Sequence, residues 1–292
     1  MSVEKLVTIL IVNWKTPHLL ADCLDSIKQD SKFAMLKVVV VDNNSQDESV
    51  AMLKTKYPWV ELEVNNQNLG FSKACNQVMT RLETPYVFLL NPDTKVEKDA
   101  TSKLLDFIQT NPTIGIVGPK VLNIDGSFQL ACRRSFPSPM ASFFRLTYLS
   151  YLFPKNKYVA KYNLTYMDQN QICEVDSISG ASMLIRKDVL DKIGFFDENI
   201  FMFGEDIDLC WRAKLAGFKV FYYPRATIYH VHGASSKKRP VGTTINLHNG
   251  MFVFYKKHLA KDYPFIFNWL IYLGIYVRMT VFIVINFLKS FV

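Results

Sequence analysis

Short apolar runs alternate with amphipathic stretches through the N-terminal third of the chain. "VTILIVN" (Val7–Asn13) is rich in β-branched residues without polar alternation, the pattern of a strand buried on both faces. Pro17 then opens a helical pattern that sets Leu19, Leu20, Cys23, Leu24 and Ile27 on one side. "LKVVVVD" (Leu36–Asp42) is a second buried strand, followed by the turn-rich "NNSQDES" and a helix reaching about Tyr57. "VELEV" (60–64) is a third strand, "NNQNLG" leads into a helix over 71–81, and "YVFLL" (Tyr86–Leu90) is a fourth strand ending in "NPDT". This alternation predicts an α/β fold with a mainly parallel sheet and helices on both faces. Such sheets bind ligands beyond the carboxyl ends of their strands. Asn13, Asp42 and Asn44, Asn68, and Asn91 with Asp93 all fall there. The same residue types also make ordinary turns.

The pattern loosens over residues 121–173. That region holds the aromatic and basic run "RRSFPSPMASFFRLTYLSYLFPKNKY", which suits either a flexible segment over the cleft or a loop-rich insertion. Regularity returns at Val175. "SISGASMLIR" reads as a strand in which Gly180 allows close backbone approach. "KDVLDKIGFFDE" is a short helix and turn, and "KVFYYP" and "ATIYHVHG" are extended segments. The C-terminal stretch from Tyr263 onward is nearly all apolar and aromatic, with Arg278 and Lys289 as its main charges. It is long enough to span a bilayer, yet Arg278 sits mid-stretch. A helix lying in the interface, with Trp269 and the tyrosines at headgroup level, fits as well, and a packing helix is the third reading. The expected division is one domain over residues 1–240 and a helical, membrane-associating region over 241–292.

Composition narrows the function classes. The 292 residues are 49% hydrophobic, so the chain buries a real core. Net charge is +8, with Lys237, Lys238, Arg239, Lys256, Lys257 and Lys261 clustered late. Apolar sequence follows this cluster, which favours an anionic membrane surface as its partner. Aromatics do not interleave with it in the manner of a single-strand-binding protein, so no nucleic acid is expected. The five cysteines are scattered without a CxxC pair. That argues against zinc and for reduced thiols in a cytoplasmic protein. "MSVEKLVTIL" carries no signal-peptide pattern.

"FMFGEDIDLCWR" sets Glu205, Asp206 and Asp208 in an aromatic environment. On a helix, Ile207, Cys210, Trp211 and Leu215 form the apolar stripe and Gly217 suits the C-terminal cap. Asp208 and Arg212 are four apart and can pair, which gives Asp208 a structural role. Glu205 and Asp206 exceed what helix capping needs. "LLNPDTKV" places a carboxylate after a buried strand, suited to a Mg²⁺ or Mn²⁺ ion that shares its shell with phosphates. His230 and His232, two apart on an extended segment, share a face, and spacing does not choose between them.

In sum these pieces resemble inverting family 2 glycosyltransferases of the GT-A fold, in particular a bacterial rhamnosyltransferase-like branch. The carriers are "ILIVNWKTPHLLADCLDSI", "VVVVDNNSQDES", "NNQNLGFSKACNQ", "LLNPDT", "SGASMLIRKDVLDKIGFFDENIFMFGEDIDLCWRAKLAGFKVFYYP" and "HVHGASS", in family order over about residues 7–236. The resemblance implies a Rossmann-like mixed sheet. It implies a nucleotide-sugar site lined by Val12, Asn13, Trp14, Asp42, Asn44, Asn68, Gly70, Asn91 and Asp93. It implies a divalent metal held by Asp93 and His230, with Asn91-Pro92-Asp93 in place of the usual DxD. Asp206 matches the catalytic base, and Glu205 supports the acceptor site. The implied donor is dTDP-rhamnose and the implied acceptor a lipid-diphosphate-linked saccharide at the cytoplasmic membrane face, in cell-surface polysaccharide synthesis. A UDP-hexose or UDP-galactofuranose donor, or a non-catalytic sugar-nucleotide or glycan binder, are the alternatives; a homo-oligomer is also compatible.

Overall fold

The computed structural model describes residues 3–231, 233–234 and 238–289. The N-terminal half runs β1 (Val7–Asn13), α1 (Pro17–Ile27), β2 (Leu36–Asp42), α2 (Ser49–Lys56), β3 (Glu61–Val64), α3 (Phe71–Met79), β4 (Tyr86–Leu90), β5 (Thr94–Val96), α4 (Ala100–Gln109) and β6 (Ile114–Leu122). β7 (Arg133–Arg134), α5 (Pro139–Leu146), α6 (Leu149–Leu152), β8 (Cys173–Glu174) and β9 (Ser177–Ile178) form the irregular middle. Then follow β10 (Ser182–Arg186), α7 (Lys187–Ile193), α8 (Glu205–Leu215), β11 (Lys219–His230), α9 (Pro240–Phe254) and α10 (Phe265–Lys289).

The main sheet has the order β3-β2-β1-β4-β10-β6-β11-β5, with β8 also paired to β11. β1, β2, β3 and β4 are parallel neighbours, whereas β10 runs antiparallel between β4 and β6. The sheet is therefore mixed. Alternate side chains of each strand feed two cores. Leu10, Val39 and Leu89 pack with α3, α7 and α8 through Cys75, Leu190 and Leu209. Ile9, Val40 and Phe88 pack with α1, α2 and α4 through Leu24, Leu53 and Leu104. All-apolar strands are needed because both faces are covered.

Two sequence expectations change in detail. "KVFYYP" and "ATIYHVHG" are one strand, β11, which passes Pro224 at a register shift between Tyr223 and Thr227. Bulges are where a sheet tolerates proline. Leu215, assigned to the buried stripe of α8, is 75% exposed, and Leu209 and Ala213 take the inner positions. Gly217 caps α8 as expected, at φ +90°, with Gly217 N–H donating to Lys214 and Phe218 N–H to Ala213. The five thiols are free, and all but Cys173 are buried.

Helix α10 packs along α9 and leaves most of its other side chains exposed. An 18-residue window within it has a mean hydropathy of 1.9, and with 25 residues the helix is long and apolar enough, by length and composition, to cross a membrane.

Candidate active site

The register of β1 against β2 sets Asn13 beside Asp42 at the carboxyl edge of the sheet. Both are buried, and their polar atoms serve one another. Asn13 Nδ2 donates to Asp42 Oδ1 at 2.9 Å, and Ser45 N–H and Oγ–H donate to the same carboxylate at 3.0 and 2.6 Å. This cluster holds the loops above it. Lys15, Asn44 and Gln46 lie there at φ 55–60°, a left-handed conformation that non-glycine residues adopt at some cost. Trp14, Lys15, Asn44, Gln46 and Asn68 line an open concavity of about 460 Å³ together with Lys238 and Arg239. The Arg239 guanidinium lies 5.8 Å from the Trp14 ring centre, and Lys238 Nζ donates to the Lys15 carbonyl. The sequence reading placed Lys238 and Arg239 in a membrane-facing patch. Their place at the rim of this pocket is a contact across more than 220 residues of chain, which local pattern does not reveal. Val12 is half-buried on β1 beside Asn13, packed on the core.

Asn43, unremarked in the sequence, wires the pocket to the acidic loop. Its Nδ2 donates to Asn68 Oδ1 and to the Gly70 carbonyl at 3.0 and 3.1 Å. Gly70 has φ +83°, and a Cβ there would sit 2.6 Å from the Phe201 carbonyl. Phe71 N–H donates to that same carbonyl at 2.7 Å. Glycine is required because the loop preceding Glu205 is pressed against it. From the other side, α9 approaches so closely that a Cβ on Gly250 would meet the Phe203 carbonyl at 1.9 Å.

Glu205 and Asp206 open α8 and are 6% and 7% exposed. Asp206 Oδ2 accepts from Arg134 Nη2 at 2.7 Å and from Gly180 N–H at 2.9 Å, while Oδ1 accepts from Ile207 N–H at 2.7 Å. A carboxylate has about four lone-pair directions, so roughly one stays open to a substrate hydroxyl. Arg134 arrives on the ribbon of β7 against β9, so the start of the irregular region is a built part of the site. Burial alone would push its guanidinium down, and the Asp206 carboxylate more than reverses that, holding it above its usual value. Glu205 behaves oppositely. Burial first, and the neighbouring Asp206 charge second, push its carboxyl up to about 8. Its Oε2 meets no hydrogen-bond partner among the described residues.

The pairing expected between Asp208 and Arg212 is present at 2.8 Å, and it is part of something larger. Asp208 is fully buried and also meets His258 Nε2 at 2.7 Å and Lys257 Nζ at 2.8 Å. Lys257 belongs to the late basic cluster and points inward here. Burial would raise the Asp208 carboxyl, but the His258 hydrogen bond and the Arg212 and Lys257 charges hold it well below the usual carboxylate range.

Asn91 N–H donates to the Ala181 carbonyl at 2.9 Å, so the Asn91–Asp93 turn is one residue away from the Gly180 that binds Asp206. β11 pairs antiparallel with β5 and sets His230 opposite Thr94. His230 Nε2 lies 3.1 Å from Asp93 Oδ1, both nearly buried. Behind the ring, Nδ1 meets Gln129 Oε1 at 3.0 Å, and Gln129 Nε2 donates to the His230 carbonyl at 2.7 Å. An amide behind the imidazole turns Nε2 toward Asp93, as is usual for metal-ligating histidines. Among the described residues no group of three or more His, Cys, Asp or Glu converges. This donor set fits Mg²⁺ or Mn²⁺, which commonly take one or two protein ligands and fill the shell with water and phosphate oxygens. His232 lies outside the described residues.

Comparison with known proteins agrees with this geometry. The family model described as "Glycosyltransferase like family 2" matches residues 4–243. An N-acetylglucosaminyl-diphospho-decaprenol L-rhamnosyltransferase of Mycobacterium tuberculosis is 27% identical over 230 residues, covering 75% of this chain and 74% of the relative. A low-salt glycan biosynthesis hexosyltransferase of Haloferax volcanii is 26% identical over 211 residues, covering 71% of this chain and 61% of the relative. Among solved structures, GalNAc-T7 with UDP, GalNAc and Mn²⁺ superposes with a TM-score of 0.59 at 15% identity, over 86% of this chain and 50% of that one. That likeness shows the GT-A fold. With the family match spanning the sheet, the pocket and both acidic corners, this chain belongs to glycosyltransferase family 2, as a GT-A enzyme that transfers sugars.

Proposed function

We propose that the enzyme is an inverting transferase that moves L-rhamnose from dTDP-rhamnose onto a lipid-diphosphate-linked saccharide, at the cytoplasmic face of the membrane. The observation that carries the mechanism is the Asp206 carboxylate, fixed by Arg134, Gly180 and Ile207 with one direction open. In that role Asp206 takes the proton from the attacking acceptor hydroxyl as the glycosidic bond forms. Glu205, neutral at its raised pKa, adds no second charge beside it and can donate a hydrogen bond to the acceptor. Attack from the side opposite the leaving diphosphate inverts the anomeric centre in one displacement.

Trp14, Asn44 and Asn68 hold the base and ribose end of the donor, above the Asn13–Asp42 support. Lys238 and Arg239, at the same rim, offer positive charge to the diphosphate. Asp93 and His230 hold the divalent ion, which when bound offsets charge on the departing diphosphate. The donor choice is supported by the mycobacterial rhamnosyltransferase, and membrane residence by α10 and by that relative's decaprenol-linked acceptor. The domain over residues 1–240 carries the chemistry in this reading, and residues 241–292 carry the membrane contact.

The test is nucleotide release from a panel of donors with Mn²⁺ or Mg²⁺ and a polyprenyl-diphosphate N-acetylglucosamine acceptor. The expected result is dTDP release from dTDP-rhamnose that depends on the acceptor. Release from UDP-galactofuranose or a UDP-hexose instead overturns the donor and keeps the mechanism. Donor binding without release from any sugar overturns the polyprenyl-diphosphate N-acetylglucosamine acceptor proposed here.

A further inference from the structure

Between Ser135 and Tyr162 the chain leaves the core and returns to it. Ser135 N–H donates to the Tyr162 carbonyl at 2.9 Å and closes the foot of this excursion. α5 and α6 form its body and pack on one another. Ser138 caps α5, its Oγ accepting from Ala141 N–H at 3.2 Å. Ala141 and Ala160 are buried and form the inner side. The other side is bare. Met140, Phe143, Tyr148, Leu152, Phe153 and Tyr158 are exposed, Leu152 at 72%, and residues 151–158 are exposed without interruption. Contiguous apolar surface of this kind marks a place where something is meant to bind.

The charge on this face says what covers it. No aspartate or glutamate lies between Asp125 and Asp168, whereas Arg145, Lys155, Lys157 and Lys161 do. The cations sit among the aromatics. The Arg145 guanidinium is 4.8 Å from the Tyr151 ring centre, Tyr151 stacks on Tyr148 with ring centres 5.8 Å apart, and Lys157 Nζ is 5.2 Å from the Tyr158 ring centre. Tyrosines and cations on an apolar surface suit the lipid headgroup layer, where rings and stems meet acyl carbon and the polar tips stay wet. A second copy of the chain fits poorly, because a twofold contact would set this positive face against itself. Acidic lipid supplies the missing counter-charge.

We propose that the outer face of residues 136–161 is a second membrane-contact surface, lying in the headgroup layer of an anionic leaflet separately from α10. The foot of the excursion ties this contact to the chemistry. Arg134 bonds Asp206 at 2.7 Å, and the Phe136 ring centre lies 4.6 Å from that of Trp211 on α8. Phe136 N–H also donates to the Asp176 carboxylate at 3.1 Å. Seating the excursion in the leaflet therefore fixes the helix that bears Asp206 relative to the headgroup plane, where a lipid-borne acceptor is presented. That consequence rests on the lipid-linked acceptor proposed above; the contact itself does not.

The test uses the full chain with an environment-sensitive fluorophore (NBD) on one introduced thiol. Leu152→Cys and Tyr158→Cys report the excursion, and Phe265→Cys reports α10. All three positions are exposed, and wild type treated alike gives the background of the native thiols. The vesicles are phosphatidylcholine with or without phosphatidylglycerol, and the melting midpoint controls for folding. On anionic vesicles the labels at 152 and 158 should shift to the blue and be quenched by spin-labelled lipid. Adding Lys155→Gln and Lys157→Gln should lower the ratio of lipid-seated to water-exposed label at 152 by about tenfold or more, from about fivefold per lysine, and leave the signal at 265 unchanged. Labels at 152 and 158 that stay in water while the label at 265 enters lipid overturn this surface and leave the reading of α10 intact. An equal shift on phosphatidylcholine alone overturns the anionic partner. A blue shift without vesicles that grows with protein concentration also overturns the proposal, and assigns the face to a second copy. Labels at 152 and 158 in lipid with 265 in water support the surface and remove α10 from the membrane. Neither donor nor acceptor is present, so an error in either does not touch the result.

Discussion

Replacing Glu205 by glutamine should stabilise the protein in a pH-dependent way. In the folded chain the Glu205 carboxyl keeps its proton up to about pH 8, against an ordinary value of 4.5. Below the ordinary value both folded and unfolded chains are protonated there, and the residue costs nothing. As pH rises from there toward the folded value, the unfolded chain ionises and the folded chain does not, so stability is lost progressively. The difference amounts to as much as about 5 kcal/mol above pH 8. Glutamine keeps the shape and a donor but cannot ionise, so the Glu205→Gln chain escapes this loss. Its melting midpoint should match wild type near about pH 4.5 and exceed it by about 10 °C near about pH 8, at about 2 °C per kcal/mol for a chain of this size. Differential scanning calorimetry in a buffer series reads this directly. The transfer rate provides a second reading. Wild type should lose activity above about pH 8, as a second negative charge forms beside Asp206, and Glu205→Gln should lack that limb. Midpoints that stay parallel for the two chains across this range would refute the reasoning.

Asp208→Asn removes the one negative charge shared by Arg212, Lys257 and His258 in a fully buried position. Breaking a buried pair from one side costs about 3–5 kcal/mol, which denaturant melts will measure. Because the Asp208 carboxyl is held below its ordinary value, its contribution is present above the unfolded pKa of 3.8 and is lost as pH falls toward the folded value. The variant should therefore lose the corresponding part of the acid-unfolding slope seen by circular dichroism. Gln129→Leu removes the amide behind His230 and should raise the Mn²⁺ concentration needed for half-maximal activity by about tenfold or more, with donor-nucleotide affinity in the absence of metal unchanged.

The parts of this architecture carried by local pattern were readable from the chain. The apolar runs of β1, β2 and β4 announce strands covered on both faces, and the polar residues at their ends fall at the site edge. Gly217 and the Asp208–Arg212 spacing likewise follow from one helix alone. The remainder depends on partners far apart in sequence. Nothing near Arg134 signals that a short ribbon will bring it to Asp206, 72 residues later. Nothing near Gln129 signals that it backs His230 across 101 residues. Lys257 reads as surface charge until Asp208 is seen to face it. β10 is as apolar as its neighbours, so composition cannot disclose that it runs antiparallel between β4 and β6. Leu215 misled in the opposite direction, since helical spacing put it on the stripe while the buried face of α8 runs through Leu209, Cys210 and Ala213.

The most direct test of the account is Asp206→Asn, studied with saturating donor and lipid-linked acceptor in a single-turnover transfer experiment, with donor binding measured on the same protein. Asparagine keeps the size of the side chain and one acceptor oxygen, enough for Gly180 and Arg134 on one side or Ile207 on the other but not both, and it cannot take a proton. The account predicts a transfer rate lower by a factor of about 10² or more with donor affinity within about twofold of wild type. Transfer at the wild-type rate would contradict it, because the proton of the acceptor hydroxyl would then be leaving by another group.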